Sequence, residues 1–429
     1  MKEDYKTYLT SVEEFSKSKN EPAWMQKRRK DALLQMNELE LPKIERVKYN
    51  RWPLFDFDMN NLSVENQGEA SLDLPEKISH PTLIQYANKT IEEYLPKDLK
   101  EAGVIFTDIF TAFEKYPDLV EKYYMTKAVK SDEDKLTAAH TAFMNSGVFL
   151  YVPKGVVISE PVESLFYTDA SQDHDFKHIL IVADENSQLT YLERFQDVGD
   201  SNEKVAANII VEVVAKQGAQ VKFSAIDQLG KNYTTYMNRR GHLERDASIE
   251  WAIGIMNNGN VVADFDSDLV GDGSHASIKA VAVSTGKQVQ GVDTRVTNFG
   301  KNSVGHILQH GVILESGTLT FNGIGHIIRG AKGADAQQES RVLMLSDKAR
   351  SDANPILLID ENDVTAGHAA SIGQVDPEDM YYLMSRGLDQ DTAERLIIRG
   401  FLGSVISEIP VKDVQKEMVN VIERKLDLR

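Results

Sequence analysis

The chain of 429 residues contains no cysteine, so this chain alone supplies no disulfide bond, thiolate nucleophile or thiolate metal ligand. It also lacks an apolar run near the ~20 residues that a membrane helix needs. No apolar core follows the basic start at Lys2. We therefore expect no signal peptide, no contact with a membrane and a cytoplasmic location.

Positive charge is scarce, because 48 basic residues stand against 66 acidic ones and the net charge is −18. A surface of this sign repels phosphate backbones, so nucleic acid is excluded as a partner unless a local basic patch overrides the net charge. The strongest basic run, Lys27 to Lys30, lies on a predicted helix. We interpret it as a solvated helix face.

Periodicity divides the chain into three regions. Helical spacing is typical of an N-terminal helical region, residues 1–137, which includes a predicted helix from Thr90 to Leu95. Residues 138–373 contain short aliphatic runs separated by turn residues, which indicate strands. Residues 374–429 return to helical spacing and form a predicted C-terminal helical domain, in which Gly387 ends the first helix.

The strand region repeats along the sequence. A turn followed by an aliphatic residue recurs at intervals of 32, 28, 29 and 26 residues, at Leu189, Val221, Ile249, Ile278 and Val304. Such a period marks stacked units that are too small to bury their own apolar faces. It predicts a β-helix over residues 138–373 and leaves a Greek-key sandwich as the alternative.

Two common catalytic signatures are missing. The sequence has neither a phosphate-binding Gly-x-x-x-x-Gly-Lys-Ser/Thr loop nor a Gly-x-Ser-x-Gly nucleophile elbow. Asp264, Asp266 and Asp268 share one face of a predicted strand, where three carboxylates can hold a cation or act on a polysaccharide. The alternative is a solvated strand face with Phe265 pointing inward.

Histidines offer a second route to a metal site. His306 and His310 lie four residues apart in a predicted strand, but the glutamate of the zincin signature is absent. We interpret both of them and His326 as histidines satisfied by backbone groups. His368 differs because small residues flank it on both sides and leave its imidazole accessible. A neutral imidazole can ligate iron, with a structural role as the alternative.

A series of motifs, in order along nearly the whole chain, resembles the SufB/SufD family. The portion between residues 330 and 387 is the most specific part of this resemblance. The motifs lie at Glu21 to Trp24, Tyr151 to Val156, Gly330 to Ser340, Leu343 to Ser346, Asp352 to Pro355, Ala366 to Gly373 and Tyr382 to Gly387.

The resemblance implies a right-handed parallel β-helix between an N-terminal helical region and a C-terminal helical domain. SufB-type members carry a cysteine late in the β-helix, and Ala349 lies at or near that position. An alanine carries no persulfide, so the chain is more similar to the SufD type. The implied function is that of a non-catalytic scaffold subunit in an iron–sulfur cluster assembly complex.

The resemblance also implies partners and a cargo. A SufB-like paralogue pairs through the β-helix, and a SufC-like ATPase of the ABC type binds the C-terminal helices around Tyr382, Arg386, Gly387 and Phe401. An iron–sulfur cluster is held transiently, shared between a cysteine of the paralogue and His368. The alternatives are a homodimeric scaffold formed by the isolated chain and a carbohydrate-active β-helix protein.

Overall fold

Two mainly parallel β-sheets enclose a common core and form a solenoid of about eight turns, which confirms the predicted β-helix. The computed structural model describes residues 4–60, 62, 72, 74, 78–170, 174–199, 202–407, 409 and 412–427. Helices lie at both ends of the described chain.

The strands alternate between the two sheets along the chain. From β4 onward, even-numbered strands form sheet B, odd-numbered strands form sheet A, and neighbours within each sheet are parallel. The strands in chain order are β1 (Thr82–Tyr86), β2 (Lys89–Tyr94), β3 (Ile105–Asp108), β4 (Ser146–Val152), β5 (Val162–Thr168), β6 (His174–Ala183), β7 (Gln188–Asp197), β8 (Val205–Ala215), β9 (Gln220–Gln228), β10 (Tyr233–Leu243), β11 (Ser248–Ile255), β12 (Asn260–Leu269), β13 (His275–Ser284), β14 (Val289–Asn298), β15 (Val304–Ile313), β16 (Thr318–Ile327), β17 (Asp335–Met344), β18 (Arg350–Ile359) and β19 (Thr365–Gln374).

The register of sheet A shows where the sequence repeat was right. The row that begins at the first repeat position contains Leu189, Val221, Ile249, Ala276 and Gly305. The first three positions are therefore confirmed, whereas the predicted positions Ile278 and Val304 are wrong by two residues and one residue. The error arises because later members of this row are small, whereas the search followed aliphatic side chains.

The corner before each odd-numbered strand from β5 to β17 contains a residue with positive φ that is alternately glycine and asparagine or aspartate. Each backbone N–H of this column donates to a carbonyl of the following coil at 2.6 to 2.9 Å. The members are Gly155, Asn186, Gly218, Asp246, Gly273, Asn302 and Gly333. Because these residue types enter the left-handed region at least cost, the sequence specifies the corner at each turn.

A charged cluster interrupts the apolar interior of the solenoid. Arg239 donates to Asp227 at 2.7 and 2.9 Å and to Glu193 at 2.6 Å, and all three side chains are fully buried. Burial raises the pKa of Glu193 to about 7, and the positive charge of Arg239 opposes that shift. Pairing offsets part of the large cost of removing charges from water.

The N-terminal region contains strands as well as helices. The predicted helix from Thr90 to Leu95 is wrong, because β2 forms an antiparallel hairpin with β1, and β1 extends sheet A beside β5. Pairing with β1 overrides the local preference of this largely exposed, polar segment. The helices are α1 (Leu9–Ser18), α2 (Ala23–Gln35), α3 (Lys97–Glu101), α4 (Ile109–Lys115), α5 (Pro117–Tyr123) and α6 (Lys135–Phe143), of which α6 crosses the predicted boundary at 137.

The basic run in α2 is only partly a solvated face. Arg29 is fully buried and pairs with Glu21. Its guanidinium also donates to the carbonyls of Ala142 at 3.0 Å and Met144 at 2.8 Å. The interpretation of this run as solvated is therefore wrong for Arg29, which ties α2 to the end of α6.

The C-terminal helices are α7 (Pro377–Ser385), α8 (Gln390–Ile406) and α9 (Lys412–Asp427). Gly387 has a φ of +93° and its N–H donates to the carbonyl of Met384 at 3.0 Å, so α7 ends there as predicted. Helices α8 and α9 pack their apolar faces on the outer side of sheet A, which presents Val281, Val283 and Val312. Within the described residues, no helix combines the length and the apolar character needed to cross a membrane.

Lys425 fixes α9 to the solenoid from a buried position. Its ammonium donates to the carbonyls of Met256 at 3.0 Å and Asn257 at 2.6 Å, just after β11. Burial lowers the pKa of Lys425 to about 7. Helix docking therefore removes a charged group from water.

Replacing Lys425 with Met should change how stability depends on pH. In the unfolded chain the lysine titrates near its ordinary value of ~10.4, so between pH 7 and pH 10 the unfolded state binds more protons and the folded state gains stability as pH rises. We expect the free energy of unfolding of the wild type to rise between pH 7 and pH 9 by about 1–2 kcal/mol more than that of Lys425→Met. Denaturant titrations at both pH values measure the difference, and parallel curves would contradict the buried position of the ammonium.

Replacing Gly273 with Ala should destabilise the fold, because its φ is +70° and a Cβ there would lie 2.4 Å from Oδ1 of Asp246. We expect a loss of about 1–3 kcal/mol in the free energy of unfolding. Gly400→Ala in α8 is the control, because a Cβ there meets nothing within 4 Å. That change should stabilise by about 0.5–1 kcal/mol. Equal free energies of unfolding for both variants in denaturant titrations would contradict the claim that the corner column requires glycine at position 273.

Candidate functional site

The solenoid ends in an open coil at its C-terminal side. Among the described strands, β19 is hydrogen-bonded only to β17, and β18 only to β16. Their outer edges therefore present unpaired backbone groups, which favour pairing with another chain. Interior side chains of this coil also remain exposed, with Ile359 at 45% and Ile372 at 41%.

His368 occupies an interior position on β19. It ends a column of side chains from successive coils, namely Tyr191, Phe223, Trp251, Ile278, Ile307, Gln338 and His368. Successive side chains of a strand point to opposite faces, and Ile307 and Gln338 are buried inside, so His368 projects from the same side. It is nevertheless exposed, because it lies on the last strand of sheet A.

The interior becomes polar immediately behind this histidine. Gln338 donates to the carbonyl of Ile356 at 2.9 Å, and its buried Oε1 has no hydrogen-bond partner among the described residues. Ser340 donates to Gln309 at 2.7 Å, and Gln309 donates to Thr294 at 2.9 Å. The buried layer directly behind His368 is therefore polar, whereas other interior positions of the last coil, Ile359 and Ile372, are aliphatic.

The imidazole of His368 can supply one nitrogen ligand. In the part of the chain that the structure describes, no three His, Asp or Glu side chains stand close enough together to hold a metal ion. Because the chain also has no cysteine, it cannot complete the coordination of an iron–sulfur cluster with thiolates. A cluster at His368 needs ligands from a second chain.

Ala349 lies in the corner between β17 and β18, where it packs against the interior cluster. His368 lies nearer the other end of the coil, six residues before Gln374, which pairs with Met344 at the end of β17. Those six residues span ~20 Å at ~3.3 Å per residue. The position predicted to match the paralogue's cysteine is therefore separated from His368 within this chain.

Helix α7 carries an exposed surface at the C-terminal side. It has no buried residue, and Tyr381 and Tyr382 are 76% and 56% exposed. The guanidinium of Arg386 lies 5.1 Å from the ring centroid of Tyr382, which orders both side chains. With Met384 and Leu396, which are also exposed, the two tyrosines form what we call the α7 surface.

Phe401, the other predicted partner-binding residue, lies apart from the α7 surface. It is half-buried and its ring stacks on His310 of β15, with ring centroids 5.0 Å apart and an interplanar angle of 25°. It belongs to the apolar cluster beneath α8 and α9. Within this chain, Phe401 therefore helps to hold α8 on sheet A.

Two of the three aspartates of β12 are paired, and all three are half-buried rather than solvated. Arg240 of β10 lies 3.1 Å from Asp264, 3.6 Å from Asp266 and 2.6 Å from Glu133. Phe265 points inward as predicted. Because Arg240 already pairs with Asp264 and Asp266, these aspartates do not resemble a free pair of catalytic carboxylates.

The predicted backbone contact is confirmed for His310, whose Nδ1 lies 3.2 Å from the carbonyl of Phe401. It is wrong for the other two histidines. His306 lies 3.5 Å from Asp335, and His326 lies 3.4 Å from Asp360. Their partners come from the next coil of the same sheet, which requires the register to be known.

Sequence reasoning missed the polar residues behind His368 and a buried group of two histidines and a glutamate. The column from Ile307 through Gln338 to His368 was detectable, since its members are 31 and 30 residues apart.

A second group links α6 to sheet B: Nε2 of His140 lies 3.0 Å from Nδ1 of His178, and Glu212 lies 3.2 Å from the other nitrogen of His178. Burial raises the pKa of Glu212 to about 7 and lowers that of His178 to about 3. No sequence pattern indicated this group.

Comparison with known proteins agrees with the fold. Residues 166–401 match the family model described as SUF system FeS cluster assembly, SufBD core domain, and residues 1–163 match the SufBD protein N-terminal region. The chain is 46% identical to the iron–sulfur cluster assembly protein SufD of Bacillus subtilis, covering 98% of this chain and 97% of that protein. It is 24% identical to an iron–sulfur cluster assembly SufBD family protein of Staphylococcus saprophyticus, covering 94% and 89%.

Replacing His368 with Ala should leave the fold intact, because the side chain is exposed at the open end of the column. We expect the free energy of unfolding to change by less than about 0.5 kcal/mol. Ile307→Ala, two coils deeper in the same column, should cost about 2–5 kcal/mol because it leaves a cavity. Thermal or denaturant unfolding measures both values, and a large loss for His368→Ala would give this histidine a structural role.

Proposed function

Because the chain belongs to the SufBD family of iron–sulfur cluster assembly proteins, we propose that it is a non-catalytic scaffold subunit of a cluster assembly complex. It pairs with a SufB-like paralogue through the open coil and binds a SufC-like ATPase through its C-terminal helices. A nascent iron–sulfur cluster is the shared cargo, and the complex acts in the cytoplasm.

The open last coil carries this proposal. An unpaired parallel edge with exposed interior residues is a liability for an isolated protein, and a second solenoid removes it by continuing the sheets. The edge includes both β18 and β19, so a partner with the same two-sheet cross-section fits it. A paralogue of the same fold has that cross-section.

His368 gives the interface a chemical purpose. A neutral imidazole at the junction offers one nitrogen to iron, while the polar layer formed by Gln338 and Gln309 tolerates a charged cargo better than an aliphatic core does. Thiolates and further ligands come from the partner, because this chain supplies none. The chain thus contributes the edge of β18 and β19, which pairs with the partner, and one nitrogen ligand.

ATPase docking is assigned to the α7 surface. Tyr382 with its stacked Arg386 has the aromatic and guanidinium character that dominates protein interfaces. Gly387 ends α7 and turns the chain toward α8, so it positions this surface. Phe401 lies beneath α8 and supports the surface indirectly.

A homodimer is the second candidate state. The same open edge also fits a second copy of this chain, so the isolated protein forms a dimer through β18 and β19 when the paralogue is absent. Such a dimer places two copies of His368 at the junction and no thiolate. Such a dimer therefore lacks the thiolate ligands that an iron–sulfur cluster needs.

Replacing His368 with Ala should lower cluster formation by about tenfold or more, since loss of a residue that holds or supports a metal site typically costs 10–100-fold. The complex with a SufB-like paralogue and a SufC-like ATPase is reconstituted, and cluster yield is followed by visible absorbance. Ser371→Ala on the opposite face of β19 is the control and should retain the yield. Full yield from His368→Ala in an intact complex would exclude a role for the imidazole in assembly.

Replacing Tyr382 with Ala should weaken binding of a SufC-like ATPase by about 5–30-fold, which corresponds to about 1–2 kcal/mol for an interface aromatic. Tyr94→Ala is the matched control, because Tyr94 is an exposed tyrosine on the β2 hairpin far from the C-terminal helices. Isothermal titration calorimetry gives both affinities. Equal affinities would move the docking site away from the α7 surface.

A further inference from the structure

We propose that His310 couples the C-terminal helices to the edge strand β19, so that events at the α7 surface reach the strand that carries His368. The purpose of this coupling rests on the proposed function. The coupling itself is a property of the isolated chain and is testable without a partner.

Helix α7 follows β19 after residues 375 and 376, so one route from the helices to β19 is the chain itself. Helix α8 packs on β13 and β15, and the apolar cluster beneath it includes Leu343 of β17. A second route therefore crosses from α8 and β15 to β17, the neighbour of β19. His310 lies at this crossing, on the outer face of β15 and beneath α8.

His310 contacts both sides of the crossing from a buried position. Its ring stacks on Phe401 of α8, its Nδ1 lies 3.2 Å from the carbonyl of Phe401 and its Nε2 lies 3.7 Å from Oε1 of Glu339 on β17. The hydroxyl of Ser404 on α8 is 3.5 Å from the same Nδ1. Only 4% of the side chain is exposed.

The two ring nitrogens of His310 face two acceptors. The carbonyl of Phe401 only accepts, so Nδ1 carries a hydrogen, and in a neutral ring Nε2 has none left to give to Glu339. Buried Nε2 accordingly has no hydrogen-bond partner among the described residues. A protonated ring donates to both acceptors and joins α8 to β17. The link therefore has two states, and one proton or a small approach of Glu339 selects between them.

Charges around the ring act in opposite directions. Burial lowers the pKa of His310, the Phe401 carbonyl and Glu339 raise it, and Arg341 on β17 lowers it. The register neighbour on β13 is Val281, which carries no charge. Moving Glu339 away removes a group that raises the pKa, so protonation of His310 favours the arrangement in which β17 is held to α8.

Glu339 connects His310 to the edge strand through the pairing of β17 with β19. It pairs in register with Ala369 of β19, the residue that follows His368, and it accepts from Arg341 at 2.5 Å. Strands β17 and β19 share a continuous parallel ladder from end to end. A displacement of β17 at Glu339 therefore alters the backbone pairing that positions His368.

Hydrogen exchange on the full-length chain tests this coupling across pH 4.5 to 8, a range that extends downward because burial lowers the pKa of His310. After correction for intrinsic exchange, we expect protection of the β19 amides to fall about fivefold as pH rises and His310 loses its proton, the size of a ~1 kcal/mol coupling. His310→Gln keeps a polar side chain but cannot donate from two ring nitrogens, so its profile should be flat.

His306→Ala is the matched control for this experiment. His306 lies on the same face of β15 and faces Asp335 of β17 at 3.5 Å, but it is not part of the cluster under the helices. That variant should retain the pH step in β19. Identical profiles for the wild type and His310→Gln, or an equal step in β13, would overturn the coupling. Neither result depends on cluster yield or ATPase affinity, which test the proposed function separately.

Discussion

Each coil of a parallel solenoid depends on its neighbours for backbone hydrogen bonds and for cover over its interior side chains. In this chain the first end is closed: Lys177 donates from a fully buried position to Gln85 and Ala87, and the hairpin of β1 and β2 extends sheet A. The last coil has no equivalent cover among the described residues. Although β2 and β3 also end their sheets, the two ends differ because interior side chains of β18 and β19 remain exposed at the C-terminal side.

The C-terminal helices cover an outer face of the solenoid rather than its open end. Helices α8 and α9 cover the outer side of sheet A with a second apolar cluster, and Lys425 and Phe401 fasten them there. They are part of the folded unit, so removing them would expose sheet A as well as remove a docking surface. Among the C-terminal helices, only α7 has no buried residue, which leaves it available to another protein. The exposed surface of α7 is thus distinct from the open edge formed by β18 and β19.

Much of the fold was predictable from the sequence, since corner residues and aliphatic runs recur with each coil. The register was predictable only where the repeated residue was large: it failed at Ala276 and Gly305. His368 was singled out by its small neighbours and then by the family resemblance, whereas its inward orientation required the pairing with Gln338. Arg29 was misjudged because its partner Glu21 and the acceptors at the end of α6 come together only in the folded chain.

Hydrogen exchange of the full-length chain, alone and with a cysteine-bearing SufB-like paralogue, tests the central claim that a second solenoid closes the open coil. We expect the paralogue to slow exchange of amides in β18 and β19, the last strands of the two sheets at the C-terminal side. Amides at the N-terminal hairpin should be unchanged. Binding of the paralogue that protects other surfaces and leaves β18 and β19 unaffected would contradict the account.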